Sequence, residues 1–174
     1  MRRLPPFSHC LRLVLGVSLL LAGCTYDAAV RQLSRPERAE FFTYRKLMTS
    51  SQVRTYLAQA SMTERTAYLS EIGLAQRFQA LEPGDRETIR AGFPKPGMSA
   101  EALRFLWGEP YDTAGEAERY AHWFYLGSSM ALAEAGNDYQ TPGNRVDVYI
   151  VEGKVVGWVD YTPSAPTRKR RHIL

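Results

Sequence analysis

A cysteine at position 24 follows a segment with the parts of a short secretory leader. Basic residues come first, at Arg2, Arg3 and Arg12. An apolar run of ten residues then spans positions 13–22, which is too short for the roughly 20 residues that a membrane-spanning helix needs. The pattern predicts that residues 1–23 are a signal peptide and that the Cys24 thiol becomes available for chemistry at a new N-terminus.

Leu21-Ala22-Gly23-Cys24 resembles the cleavage site of bacterial lipoproteins, in which small residues precede the cysteine. The resemblance implies that the Cys24 thiol takes a diacylglyceryl group and that the new amine is acylated after cleavage. Several acyl chains, at about 0.8 kcal/mol per buried CH₂, would anchor the protein to a membrane rather than make it span one. In Gram-negative lipoproteins an Asp after the cysteine commonly retains the protein in the inner membrane, so Thr25 favours the outer membrane. The alternative is an ordinary secretory leader with a chance cysteine.

His122 is the one histidine in the part of the sequence that we expect to fold after cleavage. A nucleophile–base pair would need a serine within hydrogen-bond reach and an orienting acid. Ser128 and Ser129 are near in sequence, but no G-x-S-x-G motif accompanies them. Metal binding would need further His or Cys ligands, which this part of the sequence lacks. We therefore expect no catalytic residue, cofactor or metal, and a lipid-anchored hydrolase built around His122 is the least favoured alternative.

Charge excludes a basic nucleic-acid-binding domain. The leader contains three of the 22 basic residues and no acidic one, so 19 basic and 18 acidic residues follow it. Four of the basic residues are clustered near the C-terminus, at Arg168, Lys169, Arg170 and Arg171. A solvated tail over residues 162–174 is one interpretation of this cluster. Attraction to anionic lipid headgroups is the other.

The first half of the chain predicts helices. Residues 24–35 are predicted to form a short polar tether, and residues 36–91 a helical region. Within that region, Thr49, Ser50 or Ser51 and then Ser61 or Thr63 are candidate N-caps. Pro83 and Gly84 precede a short final helix that Asp85 could cap.

The second half of the sequence has a different residue pattern, which predicts one helix followed by strands. Ser99 is predicted to cap a helix over 100–107, and Gly108 suits the left-handed residue that follows a helix. Alternating aromatic residues over 120–126 predict a strand, and a loop is expected over Gly127–Asn144. Residues 145–151 and 154–161, joined by Glu152-Gly153, predict a β-hairpin.

This order of elements predicts an α+β protein in which a helical region precedes a helix and a three-stranded antiparallel sheet. Trp123 and Tyr125 would then face the helices. Because side chains alternate along a strand, Tyr120, His122 and Phe124 would be left on the outer face. An exposed aromatic face is typical of a protein contact, so these three residues are the tentative partner-binding site.

Three short motifs resemble the SmpA/OmlA-type outer-membrane lipoproteins, which are small accessory subunits of the β-barrel assembly machinery. They are Gly97-Met98-Ser99 before a short helix, Leu106-Trp107-Gly108-Glu109-Pro110 after it, and Trp123-Phe124-Tyr125 together with the closing hairpin. The resemblance covers residues 92–161. It implies a fold shared with β-lactamase inhibitor proteins, with helices packed on a three-stranded antiparallel sheet.

The expected function is therefore that of a non-catalytic lipoprotein on the periplasmic face of the outer membrane. It would be held by lipidated Cys24 and would bind envelope or outer-membrane assembly proteins. A binding or inhibitory module for another envelope partner is the alternative on the same scaffold.

Overall fold

The computed structural model describes residues 22–116, 119–135 and 144–161, except for the side chains of residues 22–25 and 133–135. The described chain is an α+β protein, as predicted: helices come first and an antiparallel sheet follows. Within these residues, no helix has both the length and the apolar character needed to cross a bilayer.

In the described part of the chain, seven helices precede the sheet, with a 3₁₀ turn at Arg45–Leu47 after the second. They are α1 (Ala22–Gln32), α2 (Arg35–Tyr44), α3 (Ser50–Ala58), α4 (Met62–Glu71), α5 (Leu74–Ala80), α6 (Pro83–Ala91) and α7 (Ala100–Trp107).

Side-chain caps set several of the helix starts. The hydroxyls of Thr49, Ser61 and Ser99 each accept a hydrogen bond from the backbone amide three residues later, at 3.1–3.2 Å. Gln52 and Glu64 return the bond and complete capping boxes at α3 and α4. Gly108 ends α7 at a φ of 84° and a ψ of −171°, a positive-φ conformation suited to glycine but not the left-handed helical conformation predicted for it.

The segment predicted as a tether, residues 24–35, lies largely in helix α1. Leu33 after this helix is buried, and the Tyr26 ring packs 6.4 Å from the Phe41 ring of α2. Polar residues in a short segment favour a linker, but here a few apolar residues dock the helix on its neighbours. The backbone at Cys24 is therefore part of a helix.

The sheet has four strands in the order β1 (Asp112–Glu116), β2 (Tyr120–Leu126), β3 (Arg145–Val151) and β4 (Lys154–Asp160). The prediction of three strands is wrong because it omits β1. Every residue of β1 is exposed, and its sequence Asp-Thr-Ala-Gly-Glu has neither β-propensity nor apolar alternation. Backbone pairing with the edge of β2 makes it a strand, and local composition does not report such pairing.

The predicted loop Gly127–Asn144 contains a further helix, α8 (Ser129–Ala135). The Ser128 hydroxyl accepts a hydrogen bond from the Ala131 amide at 3.2 Å, and Leu132 is fully buried. Ser128 therefore caps a short run of good helix formers that docks through one leucine. Residues 136–143 of this predicted loop lie outside the described residues.

Helix α7 joins the helices to the sheet through opposite sides of one apolar segment. Phe105 packs edge-on against Tyr44 and Phe78, with ring centroids 6.0 and 5.6 Å away. Trp107 packs edge-on against Tyr125 and Trp158 of the sheet, at 5.4 and 6.0 Å. The helical region and the region after residue 92 therefore share one hydrophobic core.

Candidate functional site

The outer face of the sheet carries a cluster of aromatic and charged side chains. In β2, Ala121, Trp123 and Tyr125 are buried, whereas the residues that alternate with them are less buried. The structure thus places Tyr120, His122 and Phe124 together on the face turned away from the core, as the alternation predicted.

His122 lies at the centre of this face. Its ring stacks on Tyr149 of β3 with 4.6 Å between centroids and lies 4.2 Å from the ring of Phe124. The register makes Tyr149 the direct partner of His122 across the two strands. Nε2 of His122 is shielded from solvent and lies 3.4 Å from Oδ2 of Asp147, an ion-pair distance without hydrogen-bond geometry.

Asp147 is a buried carboxylate on this outer face, with only 2% of its surface exposed. Nη2 of Arg145 donates a hydrogen bond to its Oδ2 at 3.0 Å, and Nε of Arg145 lies 2.6 Å from its Oδ1. The contact between Nε and Oδ1 is close but lacks hydrogen-bond geometry, so the pair has one hydrogen bond, from Nη2 to Oδ2. A buried carboxylate needs such a partner, because an uncompensated charge is costly away from water.

Aromatic rings cover the Arg145 guanidinium. Its central carbon lies 5.7 Å from the ring centroid of Phe124 and 5.0 Å from that of Tyr161. Such cation–π contacts hold a cation while leaving its outer edge available. We call Tyr120, His122, Phe124, Arg145, Asp147, Tyr149 and Tyr161 the outer-face cluster.

The rim of the outer-face cluster is open. Tyr120 is 46% exposed and Tyr161 is 47% exposed. Partial burial, together with the nearby Tyr161 phenol and Asp147 carboxylate, raises the pKa of Tyr149 above its usual value. Tyr149 therefore stays a neutral hydrogen-bonding phenol, and the cluster combines apolar rings with paired charges, as protein interfaces do.

Ser128 and Ser129, the serines considered as nucleophiles beside His122, form hydrogen bonds elsewhere. Ser129 Oγ donates to Oδ2 of Asp160 at 2.8 Å, and Ser128 caps α8. His122 and Asp147 lie within ion-pair distance of each other, and the hydroxyls of both serines are engaged elsewhere. In the described part of the chain, no three His, Cys, Asp or Glu side chains are grouped so that they could hold a metal ion.

The Asp147–Arg145 pair makes a testable contribution to stability. Asp147→Asn should lower the free energy of unfolding by about 1–2 kcal/mol, because it removes a charged hydrogen-bond partner whose arginine is half exposed and can be rehydrated. Urea unfolding measures the change, and Glu116→Gln, at an exposed site of β1, is the matched control. Equal stability of Asp147→Asn and wild type would mean that the pair contributes nothing net.

A second polar cluster lines a cleft of about 430 Å³ between α5, α6 and α7. Glu101 accepts hydrogen bonds from Arg77 at 2.8 Å and from Arg104 at 3.0 Å. Partial burial raises the pKa of Glu101, but these two arginines outweigh burial and lower it overall. Lys154 lies 3.4 Å from Glu82 across the same cleft. The charged side chains of this cleft are thus paired with one another. We therefore assign the cleft a structural role in holding the helices together.

Asp85, expected to cap its own helix, does something else. It lies inside α6, is 5% exposed and accepts the backbone amide of Ser99 at 3.1 Å. The two residues before Ser99 pair with β4: the Gly97 amide donates to the Val155 carbonyl, and the Met98 carbonyl accepts from the Val155 amide. Asp85 therefore stabilises the start of α7, and the Gly97-Met98-Ser99 motif positions this helix against the sheet.

Two membrane contacts were predicted from the sequence, one at Cys24 and one at the basic C-terminal cluster. The backbone of Cys24 lies in the first turn of α1, and its side chain is outside the described atoms. Arg168, Lys169, Arg170 and Arg171 lie outside the described residues, so the lipid-binding interpretation of the tail stays a prediction.

Comparison of the chain with models of known protein families, with curated proteins and with solved structures gives no match. The function is therefore argued from the site.

Sequence reasoning missed Arg145, Asp147 and Tyr149 as members of the site. A signal was present, because an aspartate at the third position of the strand Arg-Val-Asp-Val-Tyr-Ile-Val interrupts a mostly apolar pattern. Period-two alternation places these residues on one face of β3. Only the register with β2 brings that face against His122 and Phe124.

Proposed function

We propose that this protein is a non-catalytic lipoprotein on the periplasmic face of the outer membrane, and that it binds another envelope protein through the outer-face cluster. The observation that carries the proposal is the cluster itself, in which rings and a compensated Asp–Arg pair face away from the core. Aromatic residues and arginine are the residue types enriched at the centres of protein interfaces.

The anchoring part of the proposal rests on the Leu21-Ala22-Gly23-Cys24 sequence. Acylation at Cys24 would attach the lipid within the first turn of α1, which is docked on α2 through Tyr26 and Phe41. A domain joined so closely to its lipid would remain near the bilayer surface. Its partners would then be found at or in the same membrane.

The finer proposal is an accessory factor for outer-membrane protein assembly or envelope integrity, similar to the SmpA/OmlA-type lipoproteins. It is supported by the capped helix α7 after Gly97-Met98-Ser99 and by the antiparallel strands that follow. A scaffold like that of the β-lactamase inhibitor proteins belongs to the same proposal. Six helices before α7 and the added strand β1 distinguish this chain from the expected pattern.

A binding or inhibitory module for another envelope protein is the alternative on the same surface. The two functions predict different partners: barrel-assembly proteins for the first, and an enzyme or an unrelated envelope protein for the second. The partner recovered from solubilised membranes therefore decides between them.

Phe124→Glu tests the proposed interface. The variant should bind the partner about 30-fold more weakly, because a central aromatic contact is worth about 2 kcal/mol or more and a carboxylate cannot replace it. Full-length tagged protein is purified from detergent-solubilised membranes, and the copurifying proteins are identified and their affinity measured.

Met62→Glu is the matched control, since Met62 is an exposed apolar residue at the start of α4 and not on the sheet. The control should retain the partner, and both variants should keep the circular dichroism spectrum of the wild type. Loss of folding in Phe124→Glu alone would identify the outer face as internal core and would contradict the interface. Normal partner binding by a folded Phe124→Glu would contradict it as well.

A further inference from the structure

A second surface lies beside the start of α1, around a groove between α2, α6 and α7. The groove has a volume of about 480 Å³, and its floor is apolar, with Phe42, Ile89, Phe105 and Leu106 among the lining side chains. Lys46 and Arg90 also line it. Among the described residues that form this lining, two are basic and none is acidic.

Aromatic side chains are exposed at the edges of this groove. Phe42 is 46% exposed, and Phe93, which follows the groove residue Gly92, is 66% exposed. Large exposed rings beside basic side chains are typical of surfaces at a membrane–water interface, where rings lie at headgroup level and cations meet phosphates.

A chain of contacts connects the groove to the start of α1. Tyr26, two residues after Cys24, accepts a hydrogen bond from Nη1 of Arg45 at 3.3 Å. The Arg45 guanidinium lies 5.6 Å from the ring centroid of Phe42, which lines the groove. Phe42 of α2 and Arg45 of the following 3₁₀ turn therefore connect the groove to the part of α1 next to Cys24.

Charges of opposite sign are separated across α2. Glu37 contacts Arg65 at 2.5 Å, and Glu40 accepts hydrogen bonds from Tyr56 and Thr66. These carboxylates are thus engaged with α3 and α4. The other side of α2 carries Phe42, and the 3₁₀ turn that follows α2 carries Arg45, whose guanidinium adds positive charge beside that ring.

We propose that the surface formed by Tyr26, Phe42, Arg45, Arg90 and Phe93, the groove surface, lies against the bilayer and binds the headgroups of anionic phospholipids. The inference rests on the proposed lipid anchor, because acyl chains on Cys24 would hold this surface within reach of headgroups. Phosphates would meet the arginines, and Phe42 and Phe93 would enter the interfacial region. The outer-face cluster would remain available to a protein partner.

The test uses the full-length lipidated protein reconstituted into vesicles. If Cys24 is acylated and the leader is removed, a cysteine introduced at position 93 is the one free thiol of the protein. Phe93→Cys is labelled with an environment-sensitive fluorophore, and Tyr120→Cys, on the outer face of the sheet, is the matched comparison. Spin-labelled lipids are the quencher, in vesicles of phosphatidylcholine alone or in an equimolar mixture with phosphatidylglycerol.

We expect strong quenching at position 93 in the anionic vesicles, weaker quenching in phosphatidylcholine alone and little at position 120. A change of one charge near an anionic surface alters binding about fivefold. Arg90→Glu removes one positive charge and adds one negative charge, a change of two. Adding it should therefore lower the ratio of docked to undocked domains about 25-fold. Arg119→Glu, at an exposed site outside the groove surface, should leave the ratio unchanged.

Equal quenching at positions 93 and 120 would overturn the proposal while leaving the anchor intact. Quenching at position 93 that falls as protein density rises, whatever the phosphatidylglycerol content, would also overturn it, because a second copy of the chain would then cover the groove and exclude the lipid quencher. A chain that incorporates no labelled palmitate and leaves the membrane fraction would contradict the anchor itself, and the membrane-facing role with it.

Discussion

Trp123→Ala is expected to lower the free energy of unfolding by about 3–5 kcal/mol, the usual cost of deleting a buried tryptophan side chain. Trp123 is 6% exposed and lies opposite Val148 of β3 in the register. The Arg104 guanidinium covers its ring at 4.6 Å. Truncation would leave a cavity between α7 and the sheet, so the loss includes packing as well as hydrophobic transfer.

Urea unfolding followed by circular dichroism measures this effect, and Tyr111→Ala is the control. Tyr111 is an aromatic residue that is 64% exposed, so its truncation should change stability by less than about 0.5 kcal/mol. A Trp123→Ala protein with an unchanged melting temperature would place the ring outside the core. That result would contradict the assignment of the two sheet faces on which the outer-face cluster depends.

Cys24→Ala is expected to abolish incorporation of labelled palmitate and to release the protein from the outer-membrane fraction or leave it uncleaved. The reason is chemical, because alanine has no thiol for the diacylglyceryl group. At about 0.8 kcal/mol per buried CH₂, loss of the acyl chains removes the whole anchoring free energy. Palmitate labelling and membrane fractionation measure the two outcomes separately.

The chain offers a matched control in Cys10, its one other cysteine. Cys10 lies inside the predicted leader, so Cys10→Ala should leave both labelling and fractionation as in the wild type. Outer-membrane fractionation of Cys24→Ala without any palmitate would contradict anchoring through Cys24. The groove surface could then no longer depend on a lipid at the start of α1.

Much of the local structure could be predicted because its causes are local. Thr49, Ser61 and Ser99 cap helices through bonds that span three residues, and all three were candidate caps in the sequence. The structure selected Thr49 over Ser50 and Ser51, and Ser61 over Thr63. The alternation in Tyr120–Leu126 assigned both faces of β2 correctly, because a strand has a period of two. The hairpin of β3 and β4 could be predicted from the alternation in its two strands and from the Glu152-Gly153 turn between them.

Elements that depend on pairing or docking with another part of the structure were mispredicted. Asp112–Glu116 is a strand because β2 offers it a free edge, and Ser129–Ala135 is a helix that docks through Leu132. Residues 24–35 were expected to form a tether, yet most of them are helical beside α2. In each case contacts outside the segment decide a conformation that its own short sequence does not fix.

The candidate site divides in the same way. Local sequence was sufficient to place Tyr120, His122 and Phe124 on one face and to mark Cys24 as a candidate for acylation. The joining of that face to Asp147 and Arg145 depends on cross-strand register, a relation between residues more than twenty positions apart in the chain. Register is set by which faces of β2 and β3 are buried against α7. The chemistry around His122 was therefore decided by the tertiary structure.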